Sequence, residues 1–87
     1  MTVATSDLLR RLPKTELHCH LDGCVRPATL LELAAEYGKP MPADDAEALS
    51  AYMLVDDAES LEDYLERFSV TLSVMQTSEA LERITYE

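Results

Sequence analysis

A chain of 87 residues with a net charge of −10, from 17 acidic and 7 basic residues, is poorly suited to binding nucleic acid or an anionic membrane. Apolar residues make up 47% of the chain, which excludes disorder by composition; the length is near the lower limit for a self-sufficient core. No segment has the apolar core of a signal peptide or the length of a membrane span, so we expect a reduced, cytoplasmic setting.

The first predicted elements are one helical turn before Pro13 and a short strand over residues 15–21, ended by Gly23, which is free to take a positive φ. Side chains alternate along a strand, so one face carries two imidazoles flanked by two carboxylates: Glu16, His18, His20 and Asp22. Two imidazoles at this spacing can bind one metal ion. The alternative is a pair of strand histidines hydrogen-bonded to neighbouring carboxylates.

Four helices are predicted after the strand. The first begins at Pro27 and ends at Gly38, and the second begins at a capping box over residues 44–47. After a break over residues 53–57, Ser60 caps a helix from residue 61 to about 75. The last helix begins near Thr77 and has no stop signal before the chain ends. A strand without a neighbour and a helix without a stop signal indicate part of a larger βα enzyme.

Two cysteines, Cys19 and Cys24, lie at the end of the predicted strand. One pair closing so small a loop is not the basis of a disulfide scaffold. Cys19 faces away from the histidines if the strand forms, which argues against a mixed Cys/His zinc site.

The stretch Pro13-Lys-Thr-Glu-Leu-His-Cys-His-Leu-Asp-Gly23 closely resembles the opening strand of the adenosine deaminase family, Pro-Lys-x-Glu-Leu-His-x-His-Leu-Asp-Gly, at nine of eleven positions. The likeness runs from about Leu12 through Arg26-Pro27 to the final Ile84-Thr85-Tyr86-Glu87. It implies an α/β fold, in which residues 1–87 are the N-terminal part of a (β/α)8 TIM-barrel metal-dependent hydrolase and the remainder of the domain is absent.

The resemblance also implies roles for individual residues. His18 and His20 would bind Zn²⁺, with His20 also near the ribose, and Asp22 would accept a hydrogen bond from the ribose 5′-hydroxyl. An apolar helix face would wall the substrate entrance with Leu61, Tyr64, Leu65 and Phe68. From the sequence alone, Asp22 is equally a turn residue before glycine, and such a helix face is more often core. Catalytic proton-transfer residues would lie outside this chain, so the isolated chain is expected to be inactive.

The reaction that the resemblance implies is zinc-dependent hydrolytic deamination of adenosine, and of 2′-deoxyadenosine, to inosine and ammonia in purine salvage. Water activated by zinc would attack the ring carbon that bears the amino group. The partner is then a small purine nucleoside, and the oligomeric state is left open. The alternatives are a deaminase of adenine or another purine derivative, or a non-catalytic metal-binding or interaction module.

Overall fold

The computed structural model describes residues 3–54 and 59–87. Within them lie five helices, α1 (Ser6–Arg11), α2 (Pro27–Tyr37), α3 (Ala46–Met53), α4 (Leu61–Leu72) and α5 (Ser78–Tyr86), and one 3-10 turn (Leu21–Gly23). Most of the break predicted over residues 53–57 falls outside the described residues. The four helices predicted after the strand are confirmed, and α4 ends at Leu72 rather than near residue 75.

Side-chain caps fix where four of the helices begin, and at α1 the Thr5 hydroxyl accepts the Leu8 amide at 3.1 Å. The Asp45 carboxylate accepts the Ala48 amide at 2.8 Å, and the Ser60 hydroxyl accepts the Asp63 amide at 3.1 Å. The Thr77 hydroxyl caps α5 in the same way. Each cap satisfies one of the amide groups that the first helical turn leaves unbonded. The local sequence therefore determines these helix starts before any tertiary contact forms.

The predicted strand over residues 15–21 is not formed. The chain bends at Leu17, and Leu21 is already part of the 3-10 turn. Among the described residues no residue is in a strand, and no backbone–backbone hydrogen bond reaches residues 13–19. A strand requires a neighbouring strand to pair its amides and carbonyls, and this part of the chain provides none. Gly23 does not use its freedom to take a positive φ; of the two glycines, Gly38, after α2, has one, at 66°.

The core lies between α2, α3 and α5, with the residues just after α4. Its fully buried apolar side chains are Leu30, Leu33, Ala34, Leu49, Val74, Ala80 and Ile84. Three of these side chains, Leu30, Leu33 and Ala34, lie on α2. Leu49 is completely buried, and truncating such a leucine to alanine costs about 2–5 kcal/mol. The helices form a packed body that positions the residues around the 3-10 turn.

An ion-pair network joins α2 to α5 at the end of this body. Arg83 pairs with Glu32 of α2 and, at 3.3 Å, with Glu87. Arg26, the residue before α2, donates to the Glu87 carbonyl at 3.1 Å. Because α2 begins shortly after the 3-10 turn, these contacts hold in place the chain that follows that turn.

The described residues are less compact than a complete domain. Their radius of gyration is 15.4 Å, whereas a chain of this length folds to about 12 Å when compact. Every residue from 3 to 20 is exposed, including all of α1. The helical body therefore presents a long exposed segment that ends at the two histidines.

Candidate functional site

The two histidines of the chain lie side by side. Their Nε2 atoms are 3.1 Å apart, and the ring planes are inclined at 57°. His20 has an extended backbone (φ −106°, ψ 129°), and its carbonyl accepts the Gly23 amide that closes the 3-10 turn. Two nitrogen ligands of a tetrahedral zinc ion, each about 2.0–2.1 Å from the metal, are about 3.3 Å apart. The spacing of the two rings fits adjacent positions on one such ion.

The histidine pair is not a complete metal site. In residues 3–54 and 59–87 no group of three or more His, Cys, Asp or Glu side chains could hold a metal ion. Catalytic zinc has three protein ligands and structural zinc four. The neighbouring Glu16 carboxylate accepts a hydrogen bond from the His18 backbone amide at 3.2 Å. A metal ion bound by this pair would need ligands from outside the described residues.

An open groove of about 450 Å³ lies beside His20. The predicted residues that line it are His20, Asp22, Tyr64, Leu65 and Phe68. Two predicted residues, His18 and Leu61, are not part of its lining, and Leu61 is 67% exposed. The groove forms because α4 packs against the 3-10 turn, which brings residues separated by some forty positions in the sequence to one place.

The α4 face that lines the groove is not core. Tyr64 and Leu65 are exposed, whereas the buried residue of α4 is Thr71. The Tyr64 and Phe68 rings meet edge to face, with centroids 6.1 Å apart. Within the described residues this face is therefore open to the groove rather than packed in the core.

A second cavity of about 230 Å³ adjoins the first and shares Asp22, Tyr64 and Phe68 with it. Six of its lining residues were not foreseen from the sequence: Gly23, Val25, Met53, Leu54, Arg67 and Thr71. The sequence predicts that some of them lie on helices, but it does not reveal which helices pack against each other. This pocket depends on tertiary packing.

Arg67 connects α4, which lines the groove, to α3. Its guanidinium donates to the Asp63 carboxylate at 3.1 Å and to the Tyr52 carbonyl at 3.3 Å. It also lies over the Tyr52 ring, 4.4 Å from the centroid, in a cation–π contact. The Arg67 side chain is only 12% exposed. It joins α4 to α3 and thereby orients the α4 face.

Residues 13–87 match the family model described as Adenosine deaminase. The chain belongs to the adenosine deaminase family. It is 47% identical over 76 residues to the adenosine deaminase of Vibrio atlanticus and 48% identical over 77 residues to that of Shewanella woodyi. Both alignments cover 87% of this chain but only 23% of the relative. The adenosine deaminase of Clostridium botulinum strain 657 is 44% identical over 79 residues, covering 90% of this chain and 24% of that protein. The chain thus spans about a quarter of the length of these curated relatives.

The two cysteines of this adenosine deaminase family member lie close together and are free thiols. The Cys24 thiol donates to the His20 carbonyl at 3.1 Å. The pKa of Cys24 is raised, first by partial desolvation of the thiol, then by a hydrogen bond with Cys19 and by the negative charges of Glu16 and Asp22. Cys24 is therefore a protonated, weakly nucleophilic thiol near neutral pH.

No described helix of this family member is long and apolar enough to cross a membrane.

Proposed function

We propose that this chain contributes part of the active site of a zinc-dependent adenosine deaminase. The reaction is the hydrolysis of adenosine, and of 2′-deoxyadenosine, to inosine and ammonia, in purine salvage. The observation that carries the proposal is the pair of imidazole nitrogens 3.1 Å apart beside a groove lined by Asp22 and aromatic side chains. Family membership supports adenosine as the substrate. The cytoplasmic setting stays a prediction.

The proposed architecture is a (β/α)8 barrel in which residues 15–21 are the first strand and the helices that follow lie outside the sheet. The order of elements supports this, because a helix follows the histidine segment after a short turn. Active sites of such barrels lie at the carboxyl ends of the strands. His18, His20 and Asp22 would then approach the mouth of the barrel in that order.

His18 and His20 would hold zinc through Nε2, in their neutral forms. The fit rests on the nitrogen spacing and on imidazole being the commonest protein ligand of zinc. When bound, zinc supplies the Lewis acidity that lowers the pKa of a water molecule toward neutrality. The carbonyl of His20 accepts from the Gly23 amide and the Cys24 thiol, so the backbone that carries this imidazole is fixed at the turn.

Asp22 would bind the ribose. Its carboxylate lines both the groove and the adjoining cavity, so it faces the space that a nucleoside would enter. A carboxylate that accepts a hydroxyl hydrogen bond in a closed site makes a strong, charge-assisted contact. We assign to it the ribose 5′-hydroxyl.

The α4 face would cover the purine and exclude water from it. Tyr64, Leu65 and Phe68 present aromatic and aliphatic surface to the groove, and Leu61 extends that surface along the helix. Such surface suits a flat heterocycle, which stacks on aromatic rings and packs against leucine. The edge-to-face pair of Tyr64 and Phe68 sets the orientation of this wall.

The isolated chain would not catalyse the reaction. Among its described residues only two side chains are placed to bind one metal ion, and a catalytic zinc needs a third protein ligand. The same shortage argues against the alternative of a self-contained metal-binding module. The alternative of an adenine deaminase differs in its substrate, because adenine lacks the ribose that Asp22 would bind.

A chimera tests the proposed function. In it, this chain replaces the region that it matches in the adenosine deaminase of Vibrio atlanticus. We expect the chimera to convert adenosine to inosine, measured by the change in ultraviolet absorbance as the amino group is lost, and to leave adenine unchanged. A folded chimera without adenosine turnover would contradict the proposal, and preferential turnover of adenine would support the sibling activity instead.

A further inference from the structure

Arg67 lies where the ends of two helices meet. Tyr52, whose carbonyl accepts from Arg67 Nε, is in the last turn of α3, and Asp63, which accepts through its carboxylate and its carbonyl, is in the first turn of α4. The last carbonyls of a helix have no intrahelical partner, and a cation is favourable beside them. The last turn of α3, Ser50-Ala-Tyr-Met53, contains no basic residue of its own. Arg67 supplies that cation from the neighbouring helix.

The Arg67 guanidinium is held more firmly than a surface ion pair would hold it. The side chain is mostly buried, lies over the Tyr52 ring and donates to acceptors on both helices. A planar guanidinium offers several donors in one fixed geometry, which the single ammonium of a lysine cannot reproduce. These contacts therefore restrict how far α4 can rotate about its own axis.

The rotation of α4 decides which of its side chains reach the groove. Successive residues of a helix are spaced about 100° apart, so Arg67 is about 60° from Tyr64 and about 100° from Phe68 around the helix axis. The two rings meet edge to face and line both the groove and the cavity, and Arg67 lines the cavity beside them. Tyr64 is exposed, so burial in the core does not hold its ring in place. The position of the ring pair therefore depends on the anchoring of α4.

We infer that Arg67 is a positioning residue for the substrate, acting through Tyr64 and Phe68 by fixing the face of α4 that covers the purine. This inference rests on the proposed function and goes beyond it, because Arg67 is assigned no contact with the nucleoside. A wall that contacts the purine equally in the bound substrate and in the transition state contributes to KM and not to kcat. Loss of the anchor should therefore weaken binding of adenosine without slowing the chemical step.

Arg67→Met in the chimera with the Vibrio atlanticus enzyme tests this assignment, because it removes the guanidinium and keeps an apolar side chain. We expect KM for adenosine to rise roughly 2–10-fold, the range for loss of an aromatic contact, and kcat to change by less than about twofold. Arg67→Lys keeps the charge without the planar set of donors and should give an intermediate KM. The matched control is Lys39→Met, which removes one positive charge at an exposed position after α2 and should leave both constants unchanged.

Two further readouts distinguish positioning from a general loss of structure. In a Tyr64→Ala background, Arg67→Met should raise KM by a smaller factor than in the original chimera, because the ring pair that it positions is already broken. The preference for adenosine over 5′-deoxyadenosine should be the same in Arg67→Met as in the original, because Arg67 positions the wall at the purine and not Asp22. A smaller folded fraction alone would lower the apparent kcat and leave KM unchanged.

The outcomes separate this inference from the proposed function. An active chimera in which Arg67→Met leaves KM unchanged, or lowers kcat alone, would overturn the inference and leave the proposed function standing. An equal rise in KM with and without the Tyr64 ring would also overturn it, as would loss of the 5′-hydroxyl preference.

A second pair of variants keeps the test valid if Arg67→Met does not fold. Tyr52→Leu removes the ring under the guanidinium and retains the backbone carbonyl, so it should raise KM in the same direction as Arg67→Lys. An unchanged KM in both variants would overturn the inference. A chimera without adenosine turnover would instead contradict the proposed function itself.

Discussion

The Thr29 hydroxyl donates a 2.5 Å hydrogen bond to Oε2 of Glu87, joining the first turn of α2 to the residue that follows α5. Thr29 is buried, and the Glu87 carboxylate also accepts from Arg83. The pKa of Glu87 is lowered, first by the bond from Thr29 and then by the hydrogen bond and charge of Arg83, which outweigh partial desolvation. The charged form of Glu87 therefore stabilises the contact between these helices.

This relationship predicts a pH-dependent stability. A carboxyl group with a lowered folded-state pKa contributes stability above its unfolded value, here 4.5, and loses that contribution as pH falls through the folded-state pKa. Glu87→Gln should lower the Tm at pH 7, and its difference from the original chain should shrink as pH falls from about 4.5 to 3. Thermal denaturation followed by circular dichroism measures this. Glu82→Gln, at an exposed position in α5, is the charge-matched control and should show little effect. A Glu87→Gln deficit that is constant from pH 7 to 3 would contradict the assignment.

Asp22 should determine the preference for a 5′-hydroxyl. A hydrogen bond to a charged group contributes about 1.5–3 kcal/mol, so the chimera should prefer adenosine over 5′-deoxyadenosine by on the order of a hundredfold in kcat/KM. Asp22→Ala should remove most of this preference and retain zinc, because the carboxylate is not proposed as a ligand. Comparing both substrates in both proteins gives a double-difference cycle. If the preference survives in the variant, Asp22 is a turn residue and the argument for adenosine weakens.

Tyr64 should contribute its ring rather than its hydroxyl to the groove. Tyr64→Phe retains the edge-to-face contact with Phe68, and we expect KM for adenosine to change by less than about twofold. Tyr64→Ala removes a contact worth about 0.5–1.5 kcal/mol and should raise KM roughly 2–10-fold. Steady-state kinetics of the chimera measure both. Equal KM values for the alanine variant and the original would show that this face does not contact the substrate.

The helices could be predicted from the sequence because their signals are local. Asp45, Ser60 and Thr77 cap the amides of their own first turns, and Pro27 and Gly38 bound α2 through their own backbone preferences. His18 and His20 were predicted to share one face of a strand; their rings do lie side by side, although that strand is not formed. Features within a few residues of one another are the ones that the sequence reveals.

The strand and the deeper cavity could not be predicted in the same way. The alternating side chains of residues 15–21 are typical of a strand. A strand also requires a neighbouring strand to pair its backbone, and the described residues contain none. Arg67, which the sequence analysis did not single out, is mostly buried because Tyr52 of α3 packs under its guanidinium. Such positions depend on which helices meet, and that depends on the whole fold.

The zinc content of the chimera and its histidine variants tests the central claim most directly. Elemental analysis of the purified chimera should give one zinc per chain, and Asp22→Ala should retain it. His18→Ala and His20→Ala should each lower both zinc content and turnover, by at least about tenfold in turnover, since even groups that only support a metal ligand contribute that much. One zinc per chain and unchanged turnover in both histidine variants would contradict the assignment of His18 and His20 as ligands.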